Sequence, residues 1–165
     1  MAIGTHIKFF HRPGDSSIIY ISALSAAFSA VAYELLLASY ATFLLGATIF
    51  QYSLVISLMM MSMGLGAFFT KNVRQHTYLV FFVIEILLAW IAVLAIPVLY
   101  AIFATQFARI FLLCFVIIIG WGIGMEIPLL NEMLSTPKGT SRILFFDYMG
   151  GFLGGMAFPL ILLPQ

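Results

Sequence analysis

The chain has 165 residues, of which 64% are hydrophobic and only 8% are charged, and its mean hydropathy is +1.16. A water-soluble domain carries charge on about a quarter of its residues, so this composition excludes a soluble globular protein. The net charge of +1 and the scattered basic residues offer no face for nucleic acid, and the composition indicates an integral membrane protein whose first partner is the lipid bilayer.

Five apolar stretches follow one another along the chain, each at least as long as the roughly 20 residues that a membrane-spanning helix needs. They predict an all-α fold, a polytopic integral membrane bundle of about five transmembrane helices. The predicted helices are residues 17–45, 48–70, 78–103, 107–130 and 143–163.

The remaining segments are short and polar. Residues 1–16 are too polar for the apolar part of a signal peptide, and we predict that they form a cytoplasmic N-terminal segment before a single transmembrane helical domain, residues 17–165. The longest connector, residues 131–142, contains Pro137 and Gly139, which favour a turn.

The basic residues predict how the chain crosses the membrane. If the helices alternate in direction, six of the seven basic residues fall on one side, and only Arg109 falls on the other. The six are Lys8, Arg12, Lys71, Arg74, Lys138 and Arg142. Cytoplasmic loops carry an excess of Lys and Arg. We therefore predict a cytoplasmic N-terminus and a C-terminus outside, in a bacterial inner membrane.

Four carboxylates fall within the predicted helices: Glu34, Glu85, Glu126 and Asp147. An acid at the centre of a membrane helix costs about 2.5–3.5 kcal/mol on insertion scales, so we expect it to face protein or water and to mark a functional site. Glu126 and Asp147 are each about one turn from a predicted helix end. No Lys or Arg lies at matching depth. The four acids are candidates for a cation or proton site or a polar network, in which they are protonated or share protons, water or a bound cation.

Small residues form stripes on the fourth and fifth predicted helices. Glycines four residues apart let helix backbones approach closely, and we predict helix-packing roles for three such pairs. The pairs are Gly120/Gly124, Gly150/Gly154 and Gly151/Gly155. The stripes either pack one tight bundle or dock against another membrane protein.

Pro128 lies two residues after Glu126. It removes the hydrogen bond to the carbonyl of Gly124 and predicts a kink, and backbone broken in this way is tolerated in a membrane only against protein or a water-filled cavity. Two interpretations are open. One is a polar notch beside Glu126, and the other is a packing kink with Glu126 reaching the interface as its helix ends.

The sequence predicts no metal site, no cofactor and no catalytic residues. Met59 and Met63 have a spacing that Cu(I) can use, but no second sulfur cluster accompanies them, and methionine is common core filling. The three histidines form no ligand set, and Cys114, the only cysteine, cannot form an internal disulfide. No nucleophile–base pair supports an enzyme acting within the membrane.

Two stretches resemble a known family. Residues 22–69 contain YELLLA, QYSL and MGLGA, and residues 120–164 contain GxEIPLL and DYxGGxxGGxxFPLxLLP. In this order the five motifs resemble the membrane-embedded region of spermidine synthase-like, or polyamine aminopropyltransferase-like, integral membrane proteins. The resemblance places Glu34, Glu126 and Asp147 at matching positions.

In that family the membrane region usually continues into further helices and a soluble, Rossmann-like aminopropyltransferase domain. That domain uses decarboxylated S-adenosylmethionine as donor and acidic residues to hold the polyamine. This sequence has no parallel-sheet pattern, no nucleotide-binding glycine loop and no soluble carboxylate pair. The resemblance therefore implies the membrane scaffold without the synthase domain, and we expect no enzymatic activity and no cofactor.

Two functions remain open from the sequence. The preferred hypothesis is a non-catalytic accessory or scaffold subunit of a larger membrane complex, which docks by its glycine faces against other membrane subunits or against copies of itself. The alternative is a component for transport or sensing of a cation, a proton or a polyamine, which uses the intramembrane carboxylates.

Overall fold

The structure, a computed structural model, describes residues 13–46, 48–70, 77–103, 105, 107–134 and 137–162. These residues form five long helices and a short π-helical turn, Phe158–Leu162, that continues the last helix. The helices are α1 (Pro13–Leu45), α2 (Thr48–Phe69), α3 (Thr77–Ala101), α4 (Ala108–Leu134) and α5 (Pro137–Ala157). All five are long and apolar enough to cross a membrane. The described residues contain no strand, so the predicted all-α class with five spans is confirmed.

The ends of the helices differ from the prediction at two places. α1 begins at Pro13, inside the predicted polar segment 1–16, whose first twelve residues lie outside the described part of the chain. The predicted turn at Pro137 is wrong, because α5 begins there and α4 continues to Leu134. Proline suits the first position of a helix, where its fixed φ is helical and its missing N–H would have no partner.

Because α4 ends at Leu134 and α5 begins at Pro137, two acids lie farther from the helix ends than the sequence suggested. Glu126 lies eight residues before the end of α4, and Asp147 lies ten residues after the start of α5. At about 1.5 Å per residue these separations are about 12 Å and 15 Å, two to three helical turns rather than one. Glu126 therefore does not lie in the last turn of α4.

α4 is the central helix, and it packs against each of the other four. Its buried side chains include Leu112, Val116, Ile119 and Leu129. Within a membrane such contacts stabilise a bundle through close packing rather than through exclusion of water, because lipid is as apolar as leucine. The position of α4 decides which faces of α1 and α3 lie opposite each other.

Glycines bring α2 and α4 into backbone contact. A Cβ atom added at Gly124 would overlap the carbonyl oxygen of Met63, and one added at Gly66 would overlap the carbonyl oxygen of Trp121. At Gly120 the added atom would lie 2.9 Å from the Cβ of Ser62. Any side chain at these positions would push the two helices apart.

α1 and α5 meet in a similar way. A Cβ atom added at Gly150 would overlap the carbonyl oxygen of Leu24, and one added at Gly154 would lie 2.5 Å from the carbonyl oxygen of Phe28. Four residues separate the contacts on each helix, and both sequences increase in the same direction. The two helices therefore run parallel.

The other predicted pair, Gly151 and Gly155, has more room. An added Cβ atom would lie 3.4 Å and 3.8 Å from the methyl groups of Val31, which is ordinary van der Waals contact. All six predicted glycines thus face another helix of this same chain.

Candidate functional site

A groove lies between α1 and α3, which each pack on α4 but make little contact with each other in the described structure. Its volume is about 120 Å³. We define the α1/α3 groove by eleven lining residues from the three helices. They are Ala26, Ser29, Ala30 and Tyr33 of α1, Glu85, Leu88, Ala89 and Ala92 of α3, and Ile119, Ile123 and Glu126 of α4.

The lining residues of each helix share one face. They recur at three- and four-residue intervals, which places them one above another on a helix surface. Four of the eleven are alanines, whose small side chains leave the space open. Ser29 and Ala89 are exposed, so the groove opens at the outer surface of the bundle between α1 and α3.

Glu126 is the buried acid of this groove, with only 6% of its surface exposed. Two other buried polar side chains, Ser62 and Thr70, are satisfied within their own helices, whereas Tyr40 Oη and Asn131 Oδ1 are buried without a hydrogen-bond partner among the described residues. The hydroxyl of Ser62 donates to the carbonyl of Leu58 at 2.8 Å, and that of Thr70 donates to the carbonyl of Gly66 at 3.0 Å. Glu126 has no hydrogen bond or ion pair within the part of the chain that the structure describes.

Two other acids lie close to Glu126. Glu85 on α3 and Asp147 on α5 are near enough for their charges to act on it. Glu85 lies eight residues after the start of α3, so all three acids lie about 12–15 Å from the same end of the bundle. Glu85 and Asp147 are half-buried. None of the residues that line the groove is basic.

Glu34 lies apart from this cluster. It is half-buried and shares a face of α1 with Ala27, Ala38 and Ala41, which are buried in the bundle. It does not line the groove. The structure therefore brings together three of the four predicted acids.

α4 stays helical through Pro128. Because proline has no N–H, the carbonyl of Gly124 lacks its usual helical donor. This carbonyl belongs to the turn of α4 that also carries Glu126. The turn is therefore more polar than the apolar side chains around it suggest.

The other residues that the sequence analysis considered as possible ligands form no metal site among the described residues. No group of three His, Cys, Asp or Glu residues that could hold a metal ion occurs among the described residues. Met59 is buried in the core, and Met63 packs on Gly124. Cys114 is exposed. The histidines, His6, His11 and His76, and four of the basic residues, Lys8, Arg12, Lys71 and Arg74, lie outside the described part of the chain.

Sequence reasoning missed several residues that the structure places at the groove or at a close helix contact. Ser29, Tyr33, Ala89 and Ala92 line the groove, and Gly66 contacts α4. The three- and four-residue spacing of Glu85, Ala89 and Ala92 was a usable signal for a common face. Nothing in the sequence indicated that this face would pack on α4 and lie across a groove from α1.

The chain is similar to bacterial proteins named for one activity. It is 34% identical over 161 residues to polyamine aminopropyltransferase 1 of Streptomyces coelicolor and 37% identical over 147 residues to polyamine aminopropyltransferase 2 of the same organism. It is 33% identical over 152 residues to the polyamine aminopropyltransferase of Leptospira interrogans. These matches cover 93%, 80% and 89% of this chain. They confirm the resemblance that the five motifs indicated.

The chain spans only 30%, 26% and 30% of the length of those three relatives. It corresponds to a short N-terminal piece of such proteins. No family model matches the chain, and no solved structure matches it significantly. The activity in the relatives' names is that of much longer proteins, and the five helices of this chain correspond to a minor part of them.

Proposed function

We propose that these five helices form a non-catalytic membrane module that binds a cation in the α1/α3 groove. The observation that supports this function best is Glu126, which is buried, lines the cavity and has no partner among the described residues. An acid removed from water is stabilised by a positive charge or by a proton. Since no basic residue lines the groove, a bound ligand or a proton supplies that charge.

The relatives narrow the choice of cation. Their names describe an aminopropyl transfer to polyamines, and polyamines carry positive charge at neutral pH because alkyl amines are protonated there. A module that senses or passes such a cation would suit a chain that resembles part of proteins with that name. Transport or sensing is therefore favoured over an anchoring role alone.

Thermal unfolding of the chain in lipid nanodiscs tests the proposed function. A ligand that binds only the folded state stabilises it by RT ln(1 + [L]/Kd), about 2.7 kcal/mol at 100 times Kd. We expect at least one of sodium, potassium, ammonium and 1,4-diaminobutane to raise the unfolding temperature of the wild type. Glu126→Gln should remove this effect, and the matched variant Glu34→Gln, outside the groove, should keep it. Equal stabilisation of both variants, or none by any of the cations, would contradict the function.

A second candidate function is assembly with further membrane-spanning helices. It is favoured by the opening of the groove at Ser29 and Ala89, because lipid cannot satisfy the polar groups inside. The glycine faces pack within the chain, so a partner helix would cover this opening instead. Such a partner would also enclose a cation site, and the two functions are compatible.

Site-directed crosslinking in native membranes tests the assembly. A photoactivatable crosslinker attached to Ser29→Cys or Ala89→Cys, in a Cys114→Ser background, should give a discrete protein adduct. The control position is Ile49, which is 84% exposed and outside the groove. Identical adducts from Ile49→Cys, or lipid adducts alone from all three positions, would argue against a partner at the groove.

A further inference from the structure

We propose that the α1/α3 groove binds a protonated alkylamine, with the ammonium group between Glu85 and Glu126 and the hydrocarbon chain against the alanine and isoleucine side chains. This inference rests on the proposed cation-binding function and specifies the chemical class of the cation. It is carried by three properties of the groove: the wall, the polar groups and the size.

The wall of the groove is mostly apolar. Seven of the eleven lining residues are alanine, leucine or isoleucine. A calcium ion takes six to eight oxygen ligands, and magnesium demands an octahedral set, which such a wall does not provide. Methylene groups, in contrast, pack favourably on it through dispersion. The wall therefore suits an organic cation better than a bare metal ion.

The polar groups of the groove match an ammonium group. A primary ammonium has three N–H donors and no acceptor, and charge-assisted bonds to carboxylates are its strongest interactions. Glu85 and Glu126 provide two acceptors from facing helices, and Ser29 and Tyr33 provide hydroxyls. The Ser29 hydroxyl already donates to the carbonyl of Ser25 at 3.0 Å, so its lone pairs are left to accept. The ring of Tyr33 offers a further contact, because a cation is attracted to an aromatic face.

Glu126 supplies the independent indication that something binds here. Its side chain is more than nine-tenths buried, lines the cavity and is unpartnered among the described residues. Buried polar groups in proteins are nearly always satisfied by protein, water or a ligand. An ammonium group donating to Glu126 would satisfy it and neutralise it at once.

The volume limits the size of the amine. An apolar cavity of about 150 Å³ accommodates a benzene-sized molecule, and the groove measures about 120 Å³. A chain of a few carbons therefore fits inside. A longer chain would extend through the opening between Ser29 and Ala89.

Isothermal titration calorimetry of the full chain in nanodiscs, with n-butylammonium chloride as the probe, tests this inference. Three comparators isolate its features: sodium chloride has charge alone, tetramethylammonium chloride has charge without an N–H donor, and n-butanol has the same chain without charge. We expect saturable binding of butylammonium and none of the comparators. Glu126→Gln and Glu85→Gln should each weaken binding about tenfold or more, the loss of a hydrogen bond to a charged group.

Two further variants control for indirect effects. Glu34→Gln removes a charge on α1 outside the groove, and butylammonium should bind to it within about twofold of the wild type. Ala89→Leu, at the exposed mouth of the groove, fills space without changing either acid and should also weaken binding. Circular dichroism and gel filtration confirm that each variant is folded. Glu85 is only half-buried, so Glu85→Gln provides the test if Glu126→Gln does not fold.

The possible failures are distinguishable. Equal binding of butanol or tetramethylammonium, or wild-type affinity in both groove variants, would overturn the inference. If sodium binds in a Glu126-dependent way and butylammonium does not, the amine is wrong but the cation-binding function stands. If no cation binds, both the inference and the proposed function are wrong.

Discussion

Gly124 and Gly64 show how one residue type has opposite roles in a single pair of helices. Gly124 on α4 leaves room for the carbonyl oxygen of Met63, which a methyl group would overlap. Gly64 on α2 has no atom of another helix within 4 Å of the position that a Cβ would occupy. The first glycine sets the distance between α2 and α4, and the second only lowers the helix propensity of α2.

Alanine substitutions should separate these roles. Gly124→Ala is expected to lower the free energy of unfolding by about 1–3 kcal/mol, the usual cost of overpacking. Gly64→Ala should leave it unchanged or raise it by up to about 1 kcal/mol through better helix propensity. Unfolding in mixed micelles of rising dodecyl sulfate content, followed by tryptophan fluorescence, measures both. Equal losses in the two variants would mean that the backbone contact at Gly124 does not exist.

The contact between α1 and α5 involves several residues along one face of α5 rather than a single residue. Gly150 and Gly154 lie against the backbone of α1, and the rings of Tyr20 and Phe146 stack with centroids 5.3 Å apart. Gly151 lies on the adjacent stripe, where an added methyl group would make ordinary contact. The two overlapping glycine pairs of α5 therefore differ in whether they tolerate a side chain. Gly150 and Gly154 leave no room for a methyl group, whereas Gly151 and Gly155 do.

Disulfide crosslinking can measure this difference between the two stripes. With Tyr20→Cys and Phe146→Cys in a Cys114→Ser background, mild oxidation should join α1 to α5. Adding Gly150→Ala and Gly154→Ala should slow the reaction several-fold, because two methyl groups would separate the backbones. Adding Gly151→Ala and Gly155→Ala instead should leave the rate nearly unchanged. The proposed packing would be refuted by equal rates in the two double-alanine backgrounds.

The charges along the sequence predict an orientation for the bundle as a whole. Basic residues concentrate at one end of the predicted alternating helices, and Arg109 is at the other. The positive-inside rule then places the segment between α2 and α3 in the cytoplasm and the segment between α3 and α4 outside. The three clustered acids would lie in the cytoplasmic half, so a cation would reach them from that side or through the lateral opening.

Accessibility labelling of intact cells tests this orientation. In a Cys114→Ser background, Thr105→Cys, an exposed position between α3 and α4, should react with a membrane-impermeant maleimide. His76→Cys, in the segment between α2 and α3, should react only after permeabilisation. The reverse pattern would place the N-terminus outside and would reverse the side from which the acids are approached.

The sequence by itself determined the class of this protein and the number of its helices. Lipid cannot satisfy backbone polar groups, so a chain this apolar must form internally bonded spans, and hydropathy alone locates them. The resemblance to polyamine aminopropyltransferases was also visible in the sequence. It rests on five motifs in a fixed order, which can be recognised without a structure. It failed at Pro137, because proline favours both a turn and a helix start.

Only the tertiary structure decided which of the predicted residues meet. The sequence marks both Glu34 and Glu126 as candidate acids, yet only Glu126 lines the groove with Glu85. Gly150 and Gly151 are neighbours, yet only Gly150 lies against the backbone of another helix. The physical reason is that helical periodicity shows which residues share one face of a helix. It does not show which other helix packs against that face. The partner depends on how α1 and α3 pack on α4, and that arrangement is set by contacts between residues far apart in the chain.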